Sequence, residues 1–351
     1  MRGGIGGLVR AGLGIVISIA SLAYVLAGVD LGRTADILRT AVPYWLALSI
    51  GFQALDVLIR ALRWQRLVAP IRAIRFLPML GYVLVGYLAN NILPARLGEL
   101  VRSHYLGDRE GISRASALGT VVVERVVDTA TAVSIGALAI FVLHVRGVVA
   151  SAVLVGFAVT GLLVVGLAGG ILAHRLPGAD RVIAYAERRP RVAELARRLH
   201  EGLAVARRPR TLAEAIGSSL VAWGASILAM AAAGQAIGLH LTIGEAALLS
   251  SGVALATAIP SAPGYLGTFE LAAVTIGLAI GLTRDQATAL AFLVHASILV
   301  LTSTGGAVAF LRLGWHGSAD EIAEVARGIV DETPDESGPS TSGPSNQGPP
   351  R

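Results

Sequence analysis

Most of this chain consists of apolar blocks long enough to cross a lipid bilayer as helices, which fixes its class before any motif is weighed. A hydrocarbon core about 30 Å thick needs about 20 helical residues. Blocks of that order run from about Leu13 to Val29, Pro43 to Ile59, Ser116 to His144, Val148 to Leu172, Leu212 to Ile237, Thr242 to Ile259 and Asp285 to Leu311. Charged residues make up 15% of the chain, where a soluble domain carries about 25%. Glycine is abundant, at 42 residues, and aromatics are 5%, so close backbone packing by small residues must supply much of the helix contact. The expected fold is an all-α integral membrane protein, a polytopic helical bundle. The first block also fits a signal peptide with Arg2 and Arg10 before it. More spans follow, however, and no strong cleavage site stands out.

Cysteine is absent, which removes disulfides, thiol catalysis and Cys-ligated metals together. The formal net charge is +6, and all 29 basic side chains other than His are Arg. In a soluble protein that excess would raise nucleic acid as a partner. Here the Arg residues stand between apolar spans, so anionic headgroups and membrane orientation account for them, and no nucleic acid is expected.

Charge also predicts topology. Arg60, Arg63, Arg66, Arg72 and Arg75 are read as one basic loop, and ten more Arg residues fall between His174 and Arg210. Both loops are placed on the cytoplasmic side. Two clear spans precede the second loop, so the stretch 76–115 must begin and end on one side. It has too little apolar sequence for two crossings, and a re-entrant hairpin broken at Asn90–Pro94 satisfies the count. By the same reasoning 242–282 forms a second hairpin, broken by Pro260, Pro263, Gly264 and Gly267 and entering from the opposite face. The result is an inverted repeat with both termini cytoplasmic. Its two breaks echo each other as Pro94-Ala-Arg-Leu97-Gly98 and Pro263-Gly-Tyr-Leu266-Gly267, with Glu99 and Glu270 following. Interrupted hydrophobic segments in matching halves are the best sequence pointer to a transporter's binding site. Residues 1–313 are taken as the transmembrane domain and 314–351 as a cytoplasmic tail, disordered from about Asp331 by its Pro, Ser and Gly content. Val192, Leu195, Leu199 and Leu203 recur at helical steps beside Arg197, Arg198 and Glu201, which fits an interfacial amphipathic helix or a solvated loop.

Three clusters carry candidate chemistry. In the first, Asn90, Asn91, Pro94, Arg96, Gly98, Glu99 and Arg102 surround irregular backbone that survives at membrane depth only inside protein or beside water. The Asn side chains can satisfy freed backbone groups, and Arg96 and Arg102 can hold a phosphate. Alternatively the two Arg residues snorkel to the surface and pair with Glu99. In the second, Glu124 and Asp128 share a helical face with Arg125 beside them, ~12–18 Å into a span by the helical rise. A lone charge there costs about 2.5–3.5 kcal/mol, so the trio is either functional or a clamp, and removal of Arg125 should leave both carboxylates unpaired. The third, Pro263, Gly264, Gly267 and Glu270, offers exposed amides and a carboxylate to a headgroup, or is a plain turn. Gln53, Asp56 and His295 are lone polar residues in apolar spans and rank second, as packing hydrogen bonds. No nucleophile–base arrangement, nucleotide loop, dinucleotide fingerprint or metal-ligand spacing occurs. No catalytic residues, cofactor or metal are therefore expected.

In order and spacing, Asn90/Asn91…Pro94-x-Arg96-x-Gly98-Glu99-x-x-Arg102, Glu124-Arg125-x-x-Asp128 and Pro263-Gly264-x-x-Gly267-x-x-Glu270, with Arg63-Trp64 upstream, resemble the lysylphosphatidylglycerol synthase transmembrane-domain family, also called the flippase-like family. The resemblance covers about Leu13 to Leu311. It implies a prokaryotic plasma-membrane protein that moves a phospholipid or lipid-linked headgroup, most simply an anionic one, between leaflets. The separate C-terminal synthase domain of the multidomain members has no counterpart in this sequence, which argues against synthase activity. Two other roles fit the residues: an accessory subunit presenting lipid to a membrane glycosyltransferase or aminoacyl transferase, and a membrane enzyme acting on a polyprenyl or phospholipid substrate.

Overall fold

A computed structural model describes residues 3–93, 97–172, 190–257 and 261–313. Its regular elements are all helical among the described residues: α1 (Gly3–Leu26), α2 (Leu31–Arg39), α3 (Pro43–Val68), α4 (Phe76–Ile92), α5 (Gly98–Glu110), α6 (Arg114–Leu143), α7 (Val148–Leu172), α8 (Pro190–Leu203), α9 (Pro209–Ala236), α10 (Ile243–Ala256), α11 (Thr268–Ala279) and α12 (Arg284–Leu313). Short 3₁₀ turns occupy Ala204–Arg207 and Pro263–Tyr265.

The sequence supplies the boundaries locally. Pro43 and Pro209 open α3 and α9 at positions where a missing N–H is harmless. Asp30 and Ser113 cap α2 and α6 through their side chains. Thr242 and Glu245 bond reciprocally at the start of α10. Five described helices are long and apolar enough to cross a membrane: α3, α6, α7 over Val148–Leu167, α9 and α12. Residues Gly14–Leu26 of α1 and helix α2 form a bent pair at 85°, and α4 and α10 are shorter apolar helices.

Polarity is distributed as a membrane requires. Leu138, Phe141, Leu162 and Val165 lie exposed on the outside, while Arg63, Glu124, Ser219 and Glu270 are buried. The chain is a multi-pass membrane protein. Helices α3 and α9 pack closely because α9 turns an alanine face inward, including Ala222, Ala229 and Ala236. Ser49 Oγ donates to the Ala229 carbonyl at 2.8 Å across that contact.

Helix α3 continues to Val68, nine residues beyond the expected end at Ile59. The supposed loop of five Arg residues is thereby corrected: Arg66, Arg72 and Arg75 are exposed, but Arg60 and Arg63 lie on the helix and point into the bundle. Buried carboxylates bond them there. Pro94, Arg96, Pro260, residues 173–189 of the second basic stretch and the tail from 314 lie outside the described residues.

Helices α4 and α5 run antiparallel, as shown by Tyr82 bonding Glu110, Gly86 facing Arg102 and Asn90 bonding Gly98. Their approach requires glycine. A Cβ on Gly98 would stand 2.0 Å from the Gly86 carbonyl oxygen. Likewise α10 meets α11, where a Cβ on Gly252 would stand 2.3 Å from Ile276 Cδ1. The Pro263–Tyr265 turn packs against α4, with Gly264 beside the Asn91 carbonyl and Leu299.

Candidate functional site

Four guanidinium groups and four carboxylates converge inside the bundle: Arg60, Arg63, Arg102 and Arg125 with Asp56, Glu99, Glu124 and Asp128. Their formal charges cancel. Arg63, contributed by α3, is the hub. Its guanidinium reaches Glu124 Oε1 at 2.9 Å, Asp128 Oδ1 at 2.7 Å and the Ser219 hydroxyl at 2.6 Å. Arg102 of α5 takes the other Glu124 oxygen at 2.7 Å and stacks over Trp64. Arg60 clasps both Asp128 oxygens at 2.8 Å and both Asp56 oxygens at 2.9 Å. The Glu124–Asp128 spacing works because i and i+4 lie on one face of α6, and Arg60 and Arg63 meet them because three residues separate neighbours on α3.

Arg125 is held differently. Its strongest contact is to Glu124 at 3.2 Å, and Glu99 stands 4.0 Å away. Arg125 Nε and Glu99 Oε2 are buried without a hydrogen-bond partner among the described residues, as is Arg63 Nε, but Arg125 alone of the four guanidinium groups keeps about a third of its side chain exposed. The expectation that Arg125 keeps Glu124 and Asp128 paired is therefore corrected, because Arg63, Arg102 and Arg60 do that.

A cavity of about 340 Å³ opens beside this cluster. Asp56, Arg60, Glu99, Arg125 and Asp128 form its charged side, while Val253, Phe269, Val294 and Leu299 form an apolar wall opposite in character. Asn90 and Asn91 from the first break and Tyr265 from the second also reach it. Asn90 Oδ1 accepts from Gly98 N at 2.7 Å, and Asn91 Nδ2 donates to Thr302 and Ser303 on α12 at 2.9 and 3.0 Å. The Asn pair thus ties down the end of α4, where backbone groups leave the helix.

Of the residues singled out from sequence, Asn90, Asn91, Glu99, Arg125 and Asp128 line the cavity. Arg102, Glu124 and Glu270 sit behind its wall, each bonded to protein. Gly98, Gly264 and Gly267 serve close approaches: a Cβ at Gly267 would meet the Ser18 carbonyl oxygen at 2.3 Å. Pro263 opens the 3₁₀ turn. Three residues ranked second on sequence, Gln53, Asp56 and His295, border the cavity, as do Arg60, Tyr87 and Trp223. Asp56 and Arg60 were legible as an i, i+4 acid–base pair, had α3 been extended by two turns. Tyr87 and Trp223 carry no local signal.

An all-helical, multi-pass protein with a charge-balanced polar chamber inside it belongs to the class of membrane proteins that house polar groups within the bilayer. The family described as the lysylphosphatidylglycerol synthase TM region matches residues 12–306, and the chain belongs to that family. Two archaeal UPF0104 membrane proteins are similar over a shorter region. That of Methanocaldococcus jannaschii is 32% identical over 119 residues, 33% of this chain and 35% of the relative. That of Methanothermobacter thermautotrophicus is 34% identical over 121 residues, again 33% and 35%. The match thus spans about a third of the length of these curated relatives. No solved structure matches the chain.

Proposed function

We propose that this protein moves the polar headgroup of a membrane lipid across the bilayer through the cavity between α3, α4, α6 and α12. One observation carries this: the chamber sets a partly exposed guanidinium, Arg125, whose nearest carboxylates stand at 3.2 and 4.0 Å, beside an apolar wall. A guanidinium held so loosely inside an apolar bundle is costly unless a ligand completes its bonding. Phosphate is the natural complement of Arg125, and the volume lies in the range of small-molecule pockets, about 300–1,000 Å³. Acyl chains, each extending through half of a core about 30 Å thick, must remain outside in lipid. The site residues are then Asn90, Asn91, Glu99, Arg125 and Asp128 around the headgroup, with Arg102, Glu124 and Glu270 supporting them. The cell membrane is the proposed location. Both termini would be cytoplasmic, and the α4–α5 and α10–α11 pairs would be re-entrant hairpins of an inverted repeat.

Purified protein in vesicles carrying fluorescent phosphatidylglycerol in both leaflets tests this. An impermeant quencher should reach the inner-leaflet label faster than in protein-free vesicles, and Arg125→Ala should abolish the gain. Equal rates with and without protein, for phosphatidylglycerol and phosphatidylethanolamine alike, would overturn it. Lipid bound without movement would transfer the assignment to presentation of lipid to a membrane transferase.

A further inference from the structure

We propose that the uncharged polar wall of the chamber, built from Thr129, Trp223, Ser226 and Ser250, is a polyol subsite. The headgroup it takes is then a phosphate ester of a cyclic polyol, a hexose or an inositol. The assignment rests on the headgroup function proposed above: Arg125 holds the phosphate, and this wall reads what the phosphate carries.

In a helix surrounded by apolar groups, Ser and Thr hydroxyls can donate back to a carbonyl about one turn earlier. Thr131, Ser251 and Thr275 do so at 2.8, 2.7 and 2.6 Å. Thr129 of α6 and Ser226 of α9, which border the cavity, do not. Their hydroxyls make no hydrogen bond to any described residue. Nor are they sealed off, unlike the hydroxyls of Thr34, Thr160 and Thr288, which are buried without partners elsewhere in the bundle. Ser250 of α10, on the same border, donates over a long 3.4 Å to the Ser226 carbonyl and keeps its oxygen as an acceptor. Trp223 stands one turn before Ser226 on the same face of α9. It is 3% exposed and borders the cavity, and its Nε1 has no partner among the described residues.

The chemistry of this wall selects its ligand. A hydroxyl offers one donor and two acceptor positions, and an indole offers a donor alone. The wall therefore presents donors and acceptors from three helices and no charge. A group that both donates and accepts at several points complements it, and that group is a polyol. An ammonium only donates, and it would meet the Trp223 N–H and the Arg60 guanidinium, which stands 5.4 Å over the Trp223 ring. A trimethylammonium makes no hydrogen bond at all. A singly esterified glycerol keeps two hydroxyls for the four wall groups, whereas a hexose or inositol ring keeps at least four. Placement joins the wall to the phosphate. Thr129 follows Arg125 by four residues on one face of α6, about 6 Å along the axis. Arg60 in turn links Asp128, the neighbour of Thr129, to the Trp223 ring. A phosphate on Arg125 thus presents its ester group to Thr129 first, with the α9 and α10 hydroxyls beyond.

Calorimetry on full-length protein in nanodiscs tests the wall with soluble probes. Inositol 1-phosphate and glucose 1-phosphate are compared with cyclohexyl phosphate, which keeps the ring and the phosphate but no hydroxyl. At least one polyol ester should bind about tenfold or more tightly than cyclohexyl phosphate, since a site built around hydroxyls rejects the analogue lacking them. Thr129→Val and Ser226→Ala should each weaken that ester roughly three- to tenfold and leave cyclohexyl phosphate unchanged, while Thr129→Ser keeps wild-type binding. Equal binding of all three probes, no binding of any, or losses shared by cyclohexyl phosphate overturn the subsite. A vesicle assay separates the two lipid sources and the function from the subsite. Fluorescent phosphatidylinositol or polyprenyl phosphoglucose moving faster than phosphatidylglycerol supports the subsite and names its ring. Equal movement of all three overturns the subsite and leaves transport standing. No movement of any lipid, with polyol esters still preferred in calorimetry, sinks transport and leaves a subsite for a free polyol phosphate.

Discussion

Arg63 of α3 and Glu124 of α6 are bonded at 2.9 Å with their side chains 0% and 1% exposed, which makes this the most deeply shielded guanidinium–carboxylate contact among the ion pairs of the central cluster. Two such charges are tolerated in a bundle interior only if each is also bonded elsewhere, and both are: Arg63 to Asp128 and Ser219, Glu124 to Arg102 and Arg125. Removing one partner leaves the others charged in low dielectric.

Arg63→Ala should therefore be among the most destabilising single changes in the chain, at roughly 3–5 kcal/mol. Thermal unfolding in detergent should show a large fall in Tm, or no folded protein, with exposed Arg66→Ala as the control at wild-type Tm. Equal Tm values for the two would mean that the cluster is not a structural clamp.

Arg125→Ala separates binding from folding. Arg125 keeps about a third of its side chain exposed to the cavity, 34%, and Glu124 retains Arg63 and Arg102 without it. We expect a Tm loss well below that of Arg63→Ala together with loss of lipid movement. A Tm loss as large as that of Arg63→Ala would return Arg125 to the structural cluster.

The helical class, the five long apolar spans and the positions of the polar clusters were legible in the sequence because each rests on local pattern, whereas two of the seven apolar blocks proved to be a bent pair and a short helix. Apolar length marks α3, α6, α7, α9 and α12; Pro and Gly mark the breaks; the i, i+4 spacing marks Glu124 and Asp128. What the local pattern concealed was partnership. Arg60 and Arg63 read as loop residues because guanidinium groups end a hydropathy window, although buried carboxylates on α6 let α3 continue through them. His295 read as a packing residue because its partners, Glu270 and Gly264, lie 25 and 31 positions away. Arg102 read as a ligand, but Glu124 and Trp64 occupy it. In each case the deciding contact lies on another helix, where periodicity has nothing to say.

Gly98→Ala should prise α4 from α5. The added methyl would meet the Gly86 carbonyl oxygen at 2.0 Å and Asn90 Oδ1 at 2.6 Å; the first is helix backbone, and the second cannot retreat without breaking the Asn90–Gly98 bond. Overpacking of this kind costs roughly 1–3 kcal/mol and occasionally more. Gly51→Ala on α3, with nothing within 4 Å of its Cβ position, is the matched control and should be neutral or slightly stabilising. Comparable yields and Tm values for the two variants would show that the α4–α5 hairpin opens freely.

The approach of the two breaks is open to direct chemical test, because the chain contains no cysteine and every thiol would be an introduced one. Asn91 at the end of α4 and Tyr265 in the Pro263–Tyr265 turn border the same cavity, and the Asn91 carbonyl lies 3.7 Å from the Cβ position of Gly264. Asn91→Cys with Tyr265→Cys should be joined by a short bifunctional thiol reagent in native membranes. Asn91→Cys with Thr302→Cys, replacing side chains bonded at 2.9 Å, calibrates the reaction. Adding the headgroup alone, as glycerol phosphate or phosphoethanolamine at millimolar concentration, should slow the first crosslink, since both of its positions border the chamber. Efficient joining of the calibration pair without any joining of Asn91→Cys to Tyr265→Cys would separate the two breaks. The single chamber on which the function is built would then be lost.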